Sequence, residues 1–510
     1  MRFGIAALTC AASPVFAQSI WNGQGGDDSW STPGNWQGGV APVSDPSTII
    51  QMAGTTRLTP NITGSFHLAS LTFLSGAGAF NLSGGELVFT QGATPDSNLL
   101  VNSSLNSQTV SSDIKITRGQ IHAGNGGLRF TGNIDVDQSS GIRFYSNLLG
   151  TMVFDSTSVI SGTIASNRII YNGPGTYQLK GYNSYVGATS IWYGKVLVEV
   201  DALETGGAFG KDTSAVGLGV NGGTAQLLTN AAVEIGRSII VVSGATATLG
   251  GASADTSVYS KNIILGTDNS TSQSVTVTAA ENGRVNITGN IVRASNVSGS
   301  NDHVTKTGKG ILALYGSGNN YAGATNVNEG TLLVNGQLAD GGQGVTVNAG
   351  AALGGDGDGI STGVIARNTT IKGGATFAPG DIDDNGFSLA GHLTFTKSLT
   401  FEDGAVLEFN IGSAFDTVTV HGLLTLDGTL NITAGDGFGP GNYKLFEYLG
   451  SYVDNGITLG SLPFPDLYDY TLDFSEAGAV YLQVIPEPNS VLLLGAGVMA
   501  GFAVRRRKQA

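Results

Sequence analysis

The chain has little cysteine and little charge. Its single cysteine among 510 residues, Cys10, lies in an N-terminal segment that we expect to be removed. A disulfide framework and a thiolate metal site are therefore excluded for the remainder. Only 12% of the residues are charged. Because amphipathic helices need Lys, Glu and Arg on their wet face, this scarcity excludes a helical fold.

Basic residues are fewer than acidic residues. The chain has 24 Lys and Arg against 38 Asp and Glu, which gives a formal net charge of −14. An acidic surface repels the phosphates of nucleic acids and of anionic lipids. We therefore expect no nucleic-acid partner, and acidic polysaccharides are disfavoured for the same reason.

Glycine and apolar residues are abundant instead. The chain contains 78 glycines and is 41% hydrophobic, which is too apolar for a disordered polar tract. Short strands joined by tight turns satisfy both facts, since glycine and asparagine tolerate the positive φ of such turns. The composition predicts an all-β protein.

The N-terminus has the pattern of a secretory signal peptide over residues 1–17. Arg2 supplies the positive start, Phe3–Ala12 is apolar, and Val15 and Ala17 place small residues before the cleavage site. We expect cleavage after Ala17 and export of the remainder.

The C-terminus combines a proline motif, an apolar run and a basic cluster. The apolar run Val491–Val504 has 14 residues, which as a helix span about 21 Å, less than the ~30 Å hydrocarbon core of a bilayer. The basic cluster would remain cytoplasmic and leave the body outside. The flanking motif residues are Pro486, Glu487 and Pro488 before the run, and Arg505, Arg506, Arg507 and Lys508 after it.

This order of features resembles the PEP-CTERM sorting signal of bacterial envelope proteins over residues 486–508. The resemblance implies an exosortase as processing partner, loss of the tail, and a transient C-terminal transmembrane helix. A plain membrane anchor is the alternative.

Internal repeats indicate how the body is organised. Gly173–Val198 and Gly308–Val334 share Gly-x-Gly, alternating apolar residues and Asn-x-Tyr-x-Gly-Ala-Thr. A second pattern starts at Val347, Ile371 and Phe401, at intervals of 24 and 30 residues. Strand-turn units at such spacing predict a β-solenoid, in which stacked coils share one core. A chain of β-sandwiches is the alternative.

The repeats beginning at Gly173 and Gly308 resemble the autotransporter-associated β-strand repeat. That resemblance implies a right-handed parallel β-helix, as in autotransporter passengers. Because about 25 residues follow Ile485, we expect no membrane pore domain and delivery through the sorting tail instead. The predicted organisation is a signal peptide (1–17), a Trp-rich cap (18–55), a solenoid body (56–484) with repeats near 173–200 and 308–336, and a sorting tail (485–510).

Three tryptophans near the start of the body, Trp21, Trp30 and Trp36, have two interpretations. Exposed indoles stack on sugar rings, whereas buried indoles cover the open end of a solenoid. We favour the cap.

A weak calcium site is predicted at Asp381, Asp383 and Asn385, which match the first half of a calcium-binding loop. The twelfth position of that loop is His392 where glutamate is required. An acidic turn is the alternative, and no other cofactor is indicated.

Two further patterns keep other functions open. Asp135 and Asp137 share one strand face and could act as acid and base on a glycan, although we favour a solvated face as their explanation. The Thr417–Val420 stretch suggests a flat face that binds ice or polysaccharide.

We predict a non-enzymatic, adhesin-like structural protein at the cell surface or in the extracellular matrix. Its partners would be the exosortase and extracellular polysaccharide or other cell-surface components. A glycan-processing β-helix enzyme and a flat-face ice- or polysaccharide-binding protein are the alternatives.

Overall fold

A computed structural model describes residues 18–90, 97–117, 119–136, 141–166, 168–267, 272–294, 302–382 and 389–487. The chain divides into two compact units, one ending at Ser214 and the other starting at Ala215. In the described residues the regular elements are β-strands apart from two 3-10 helices, Pro33–Asn35 and Val220–Gly222. The predicted signal peptide lies outside these residues.

Parallel strands build the first unit. They stack in the orders β1-β2-β4-β6-β9-β12-β15-β17, β3-β5-β8-β11-β14 and β5-β7-β10-β13-β16-β18, all with parallel pairing. Its strands are β1 (Gln18–Trp21), β2 (Ile49–Met52), β3 (Asn61–Leu68), β4 (Ser70–Phe73), β5 (Asn81–Phe89), β6 (Asn98–Asn102), β7 (Gln108–Val110), β8 (Asp113–Ile116), β9 (Gly119–Ala123), β10 (Leu128–Phe130), β11 (Ile134–Asp135), β12 (Ile142–Ser146), β13 (Thr151–Phe154), β14 (Ile160–Ser161), β15 (Ile169–Asn172), β16 (Thr176–Leu179), β17 (Thr189–Ile191), β18 (Gly194–Val198), β19 (Ala202–Leu203) and β20 (Gly206–Gly207).

The second unit repeats this construction with more coils. Its parallel stacks are β21-β24-β27-β30, β22-β25-β28-β31-β33-β36-β39-β42-β45-β48, β23-β26-β29-β32-β34-β37-β40-β43-β46-β49 and β35-β38-β41-β44-β47. Its strands are β21 (Val216–Leu218), β22 (Thr224–Thr229), β23 (Glu234–Ile235), β24 (Ile239–Val241), β25 (Thr246–Gly251), β26 (Thr256–Tyr259), β27 (Ile263–Leu265), β28 (Val275–Ala279), β29 (Arg284–Ile287), β30 (Ile291–Arg293), β31 (Val304–Thr307), β32 (Ile311–Leu314), β33 (Thr325–Val327), β34 (Gly330–Val334), β35 (Gln337–Leu338), β36 (Val345–Val347), β37 (Ala351–Gly355), β38 (Val364–Ile365), β39 (Thr369–Ile371), β40 (Thr376–Pro379), β41 (His392–Phe395), β42 (Leu399–Phe401), β43 (Val406–Ile411), β44 (Thr417–Val420), β45 (Leu424–Leu426), β46 (Thr429–Ala434), β47 (Gly441–Tyr448), β48 (Tyr452–Asp454), β49 (Thr458–Leu459), β50 (Tyr468–Asp473) and β51 (Ala479–Pro486).

The predicted all-β parallel β-helix is confirmed. Parallel pairing between successive coils excludes the β-sandwich alternative for the described residues, because sandwiches pair antiparallel strands. Side chains alternate between the core and the outside along each strand. In β28, for example, Val275, Val277 and Ala279 are buried, whereas Thr276 and Thr278 point outward and are half-buried.

The second repeat pattern defines the register of the coils. Val347 pairs with Ile371, and Ile371 pairs with Phe401, as the sequence intervals predicted. All three side chains are buried. Coil length nevertheless varies from 20 residues between Asn326 and Thr346 to 30 residues between Thr370 and Thr400. The turns absorb that variation while the strands keep their pairing.

The three N-terminal tryptophans are buried against one another. Trp21, Trp30 and Trp36 are 0%, 4% and 1% exposed, and the ring centroids of Trp30 and Trp36 lie 4.9 Å apart. Phe66 packs edge-on against Trp30 with a centroid distance of 5.5 Å. No face of these indoles is open to a sugar ring, so the burial favours the cap over the sugar-stacking interpretation.

The C-terminal end of the second unit changes to antiparallel pairing. Strand β51 pairs with β47 on one side and with β50 on the other. It continues through Pro486 and so includes the first two residues of the predicted sorting tail, 485–510. Pro486 ends the strand beyond Val484, the last residue paired to β47, so its missing N–H breaks no bond to that neighbour. We call the three antiparallel strands β47, β50 and β51 the folded cap, and it includes the first residues of the predicted tail.

Candidate functional site

The motif Asn-x-Tyr-x-Gly-Ala-Thr places its asparagine in the core as a link between coils. Asn319 Oδ1 accepts a hydrogen bond from Ile291 N at 2.8 Å, and its Nδ2 donates to Gly316 O and Gln337 O at 2.7 and 3.0 Å. In the first unit, Asn183 binds Ile160 N and Ala208 O in the same manner. These amides satisfy backbone groups that would otherwise be buried without a partner.

The tyrosine and threonine of the motif are also structural. Tyr321 and Thr325 are buried, and their hydroxyl oxygens lie 2.6 Å apart. Tyr185 and Thr189 repeat this pair at 2.7 Å. Because these buried hydroxyl groups hydrogen-bond to each other, they are not available to contact a ligand.

The lysine that precedes the second repeat has the same kind of role. Lys306 is buried, and its Nζ donates to the carbonyl oxygens of Thr307, Gly308 and Glu329 at 2.8, 2.6 and 3.1 Å. Burial lowers the pKa of Lys306 to about 8, because the charged form is desolvated. Buried Tyr171 stands at the corresponding position of the first repeat.

Of the two carboxylates of the glycan-processing alternative, Asp135 lies in the described part of the chain. Asp135 forms an exposed ion pair with Lys115 of the neighbouring coil, with Oδ2 and Nζ 3.1 Å apart. These two residues are in register on neighbouring strands although 20 positions separate them in the sequence. Asp137 lies outside the described residues.

Asp381, the first residue of the predicted calcium loop, contacts three other polar side chains. Its carboxylate accepts hydrogen bonds from Arg284 Nη2 at 3.0 and 3.2 Å, from Asn335 Nδ2 at 2.7 Å and from Tyr315 OH at 3.4 Å. Arg284 Nη1 also donates to Ile382 O at 2.9 Å. The carboxylate anchors the chain segment that follows β40 to strand β29 and to the residues directly after β32 and β34.

The calcium site stays a prediction. Asp383 and Asn385 lie outside the described residues. Among those that are described, no three His, Cys, Asp or Glu side chains are grouped so that they could hold a metal ion. His392, at the twelfth position of the loop, contacts Thr417 Oγ1 through Nδ1 at 2.6 Å and Thr394 Oγ1 through Nε2 at 3.1 Å.

A buried carboxylate lies close to this histidine. Asp416 is 0% exposed and accepts hydrogen bonds from Gly391 N at 2.8 Å and Asn410 N at 2.6 Å. Burial raises the pKa of Asp416 to about 7, and the nearby Asp356 carboxylate acts in the same direction. Burial also lowers the pKa of His392. Both bonds of Asp416 go to backbone, so its role is to hold the start of β41 against β43.

Outside the core, the second unit presents a regular row of hydroxyl side chains, which we call the threonine column. It consists of the outward-facing residue at the centre of nine consecutive paired strands. Each residue is in register with the next and is half-buried. In order they are Gln226, Thr248, Thr276, Thr305, Asn326, Thr346, Thr370, Thr400 and Thr425.

The stretch that had suggested a flat binding face does not form such a row. Thr419 pairs with Thr394, which is 3% exposed, and with Glu447 on its other side. The threonine column was not predicted, yet the sequence contains a signal for it: Thr346, Thr370 and Thr400 each directly precede an aligned repeat residue.

The sorting motif begins inside the folded cap. Pro486 pairs with Tyr468, and Glu487 N donates to Leu467 O at 3.0 Å. The other predicted tail residues, Pro488 and Arg505 to Arg507, lie outside the described residues, as does Ala17. Within the described part of the chain, no helix is long and apolar enough to cross a membrane.

Removing the amide of Asn319 tests its structural role. We expect Asn319→Ala to lower the free energy of unfolding by about 2–4 kcal/mol, since it leaves one buried N–H and two carbonyls without this partner. Urea unfolding followed by circular dichroism measures the change. Asn326→Ala, whose side chain points outward, is the matched control and should change stability by less than about 0.5 kcal/mol. Equal losses would refute the role assigned to Asn319.

Asp416 should make stability depend on pH. Its folded pKa of about 7 exceeds the ordinary value of 3.8, so the folded state binds the extra proton between these values. The contribution of Asp416 to the free energy of unfolding is therefore fully present below about pH 4, and it is lost as the pH rises to about 7. We expect the wild type to lose on the order of 2 kcal/mol more than Asp416→Asn between pH 4.5 and 7.5 in urea unfolding. Parallel pH profiles would contradict this assignment.

Comparison with known proteins identifies both sequence motifs. The model described as passenger-associated-transport-repeat matches residues 169–198 and 304–334, and that of the PEP-CTERM protein-sorting motif matches residues 484–508. The adhesin BmaC autotransporter of Brucella suis biovar 1 (strain 1330) is 38% identical over 144 residues, which cover 26% of this chain and 4% of that protein. The chain thus spans a small part of the length of this curated relative. It carries two passenger-type repeats and a PEP-CTERM sorting motif, as the sequence patterns predicted.

Proposed function

We propose that this chain is an exported, non-enzymatic, adhesin-like protein of the cell surface or extracellular matrix. The observation that carries the proposal is the combination of a passenger-type β-solenoid with a PEP-CTERM motif in one chain. The related protein from Brucella suis is named an adhesin, which supports an adhesive role for the segment that the two chains share.

The two ends of the chain serve delivery in this proposal. The signal peptide directs export and is removed after Ala17. The C-terminal apolar run inserts transiently in the membrane, and an exosortase-type enzyme recognises the Pro486–Pro488 motif and removes the tail. The hydrogen bond from Glu487 N to Leu467 O supports cleavage beyond Glu487, because upstream bonds belong to the folded cap.

The glycan-processing alternative has less support. A hydrolase needs two carboxyl groups across one glycosidic bond. Among the described carboxylates considered above, Asp135 pairs with Lys115, Asp381 pairs with Arg284, and Asp416 binds backbone N–H groups. Each is engaged in holding coils or chain segments together.

Cleavage of the tail can be tested by measuring the mass of the native protein. We expect intact-mass measurement of protein recovered from the producing cells to show a C-terminus upstream of Arg505. Replacement of Arg505, Arg506 and Arg507 by glutamine should leave the tail uncleaved, since the basic cluster fixes the membrane orientation. A wild-type C-terminus intact through Ala510 would indicate a simple anchor.

Adhesion is tested by deletion. We expect cells that lack the chain to attach to abiotic and polysaccharide-coated surfaces at least fivefold less than the parent. Complementation with the full chain should restore attachment, whereas a chain without residues 488–510, which keeps all of β51, should not, because it is not sorted. Unchanged attachment of the deletion strain, with the protein detected on the parent's surface, would refute the adhesive role.

A further inference from the structure

We propose that the threonine column binds one chain of a neutral, linear polysaccharide along the length of the second unit. This inference rests on the proposed adhesive function and names its surface and ligand class. The column is built from nine described strand positions, seven of them threonine, with Gln226 at one end and Asn326 in the middle.

The geometry of the column suits an extended repeating ligand. Neighbouring strands lie about 4.8 Å apart, so eight intervals present hydroxyl or amide groups over roughly 38 Å. Threonine is stiff at χ1, so its hydroxyl and methyl groups are held in few orientations before a ligand arrives. A sugar chain offers alternating hydroxyl and C–H surfaces, which match these two groups.

Strand propensity alone does not explain the column. Threonine favours strands wherever it points outward, so the other outward rows would be equally rich in it. The adjacent row of the second unit also has five threonines among nine positions, but one charged and three apolar residues interrupt it: it reads Thr256, Arg284, Ile311, Thr331, Ala352, Thr376, Val406, Thr429 and Thr458. A row in the first unit is also mixed, with Asn81, Thr109, Arg129, Val153, Gln178 and Leu197. The column differs from both rows because each of its nine residues is polar and uncharged.

The absence of charge in the column favours a neutral polymer over an anionic one. The nine column residues carry no charge in a chain whose formal net charge is −14. A neutral row makes no ion pair with an anionic polymer, and the surrounding acidic protein repels one. A neutral polysaccharide needs no ion pair and is not repelled by the acidic protein.

The narrow width of the column favours a single polymer chain as its ligand over a planar lattice such as ice. The next outward row lies two residues further along each strand. It contains threonine in two coils only, at Thr278 and Thr307. In later coils the equivalent positions are occupied by Asn328, Asn348, Lys372, Glu402 and Asp427. This second row contains charges and has no common spacing of hydroxyls, so the uniform surface is one residue wide. It fits a polymer lying along it, with the neighbouring polar side chains as further hydrogen-bond partners.

The test compares two triple variants of the full chain. Thr305→Val, Thr346→Val and Thr370→Val together remove three hydroxyls from the column while keeping β-branched shape. Thr331→Val, Thr376→Val and Thr429→Val make the same change at half-buried positions of the adjacent row. Thermal unfolding of both variants within about 3 °C of the wild type shows that the fold is retained.

Binding is measured by co-sedimentation with microcrystalline cellulose, with alginate gel as the anionic control and ice-recrystallisation inhibition as a third assay. We expect the wild type to bind cellulose, the column variant to bind at least tenfold more weakly, and the adjacent-row variant to bind within twofold of the wild type. Neither alginate binding nor inhibition of ice growth is expected.

Three outcomes would overturn the proposal: no binding to cellulose, equal losses in the two variants, or ice inhibition that depends on the column. Cell attachment separates this result from the adhesive function. If the column variant supports attachment as the wild type does while the deletion strain does not attach, adhesion stands and the column is not its binding surface. If the deletion strain attaches normally, the adhesive function itself fails.

Discussion

In-register parallel pairing between coils is the constraint on which the rest of each unit depends. Because side chains alternate across a strand, a slip of one residue would turn every buried side chain outward. Val347, Ile371 and Phe401 stack in the core only because their strands pair residue to residue. The same register aligns the residues between them, so an ordered outer surface follows from an ordered core.

Buried polar side chains let the coils differ in length without losing that register. Turns of different length place backbone N–H and C=O groups at the solenoid corners without strand partners. Asn183, Asn319 and Lys306 satisfy several of these groups. The repeat motif is therefore explained as a set of corner bonds. Its chemistry stabilises the coil and leaves recognition to residues that face outward.

The sequence was informative where neighbours in space follow from a repeat. The stacking of Val347, Ile371 and Phe401 could be predicted, and the alignment also contained Thr346, Thr370 and Thr400. Contacts between coils without a shared motif could not be predicted. Lys115 meets Asp135 across one coil, and Arg284 meets Asp381 although 97 residues separate them. Such pairs depend on the lengths of intervening turns, which vary from coil to coil.

Alternation along each strand assigns stability and recognition to different residues. In β31, Val304 and Lys306 point inward and are buried, whereas Thr305 between them points outward. Selection on the core acts on the first set, and any selection on ligand contact acts on the second. A solenoid can therefore change its surface without rebuilding its interior. A continuous row of neutral polar residues on such a surface is not required by the core, and contact with a regular ligand gives a physical reason for it.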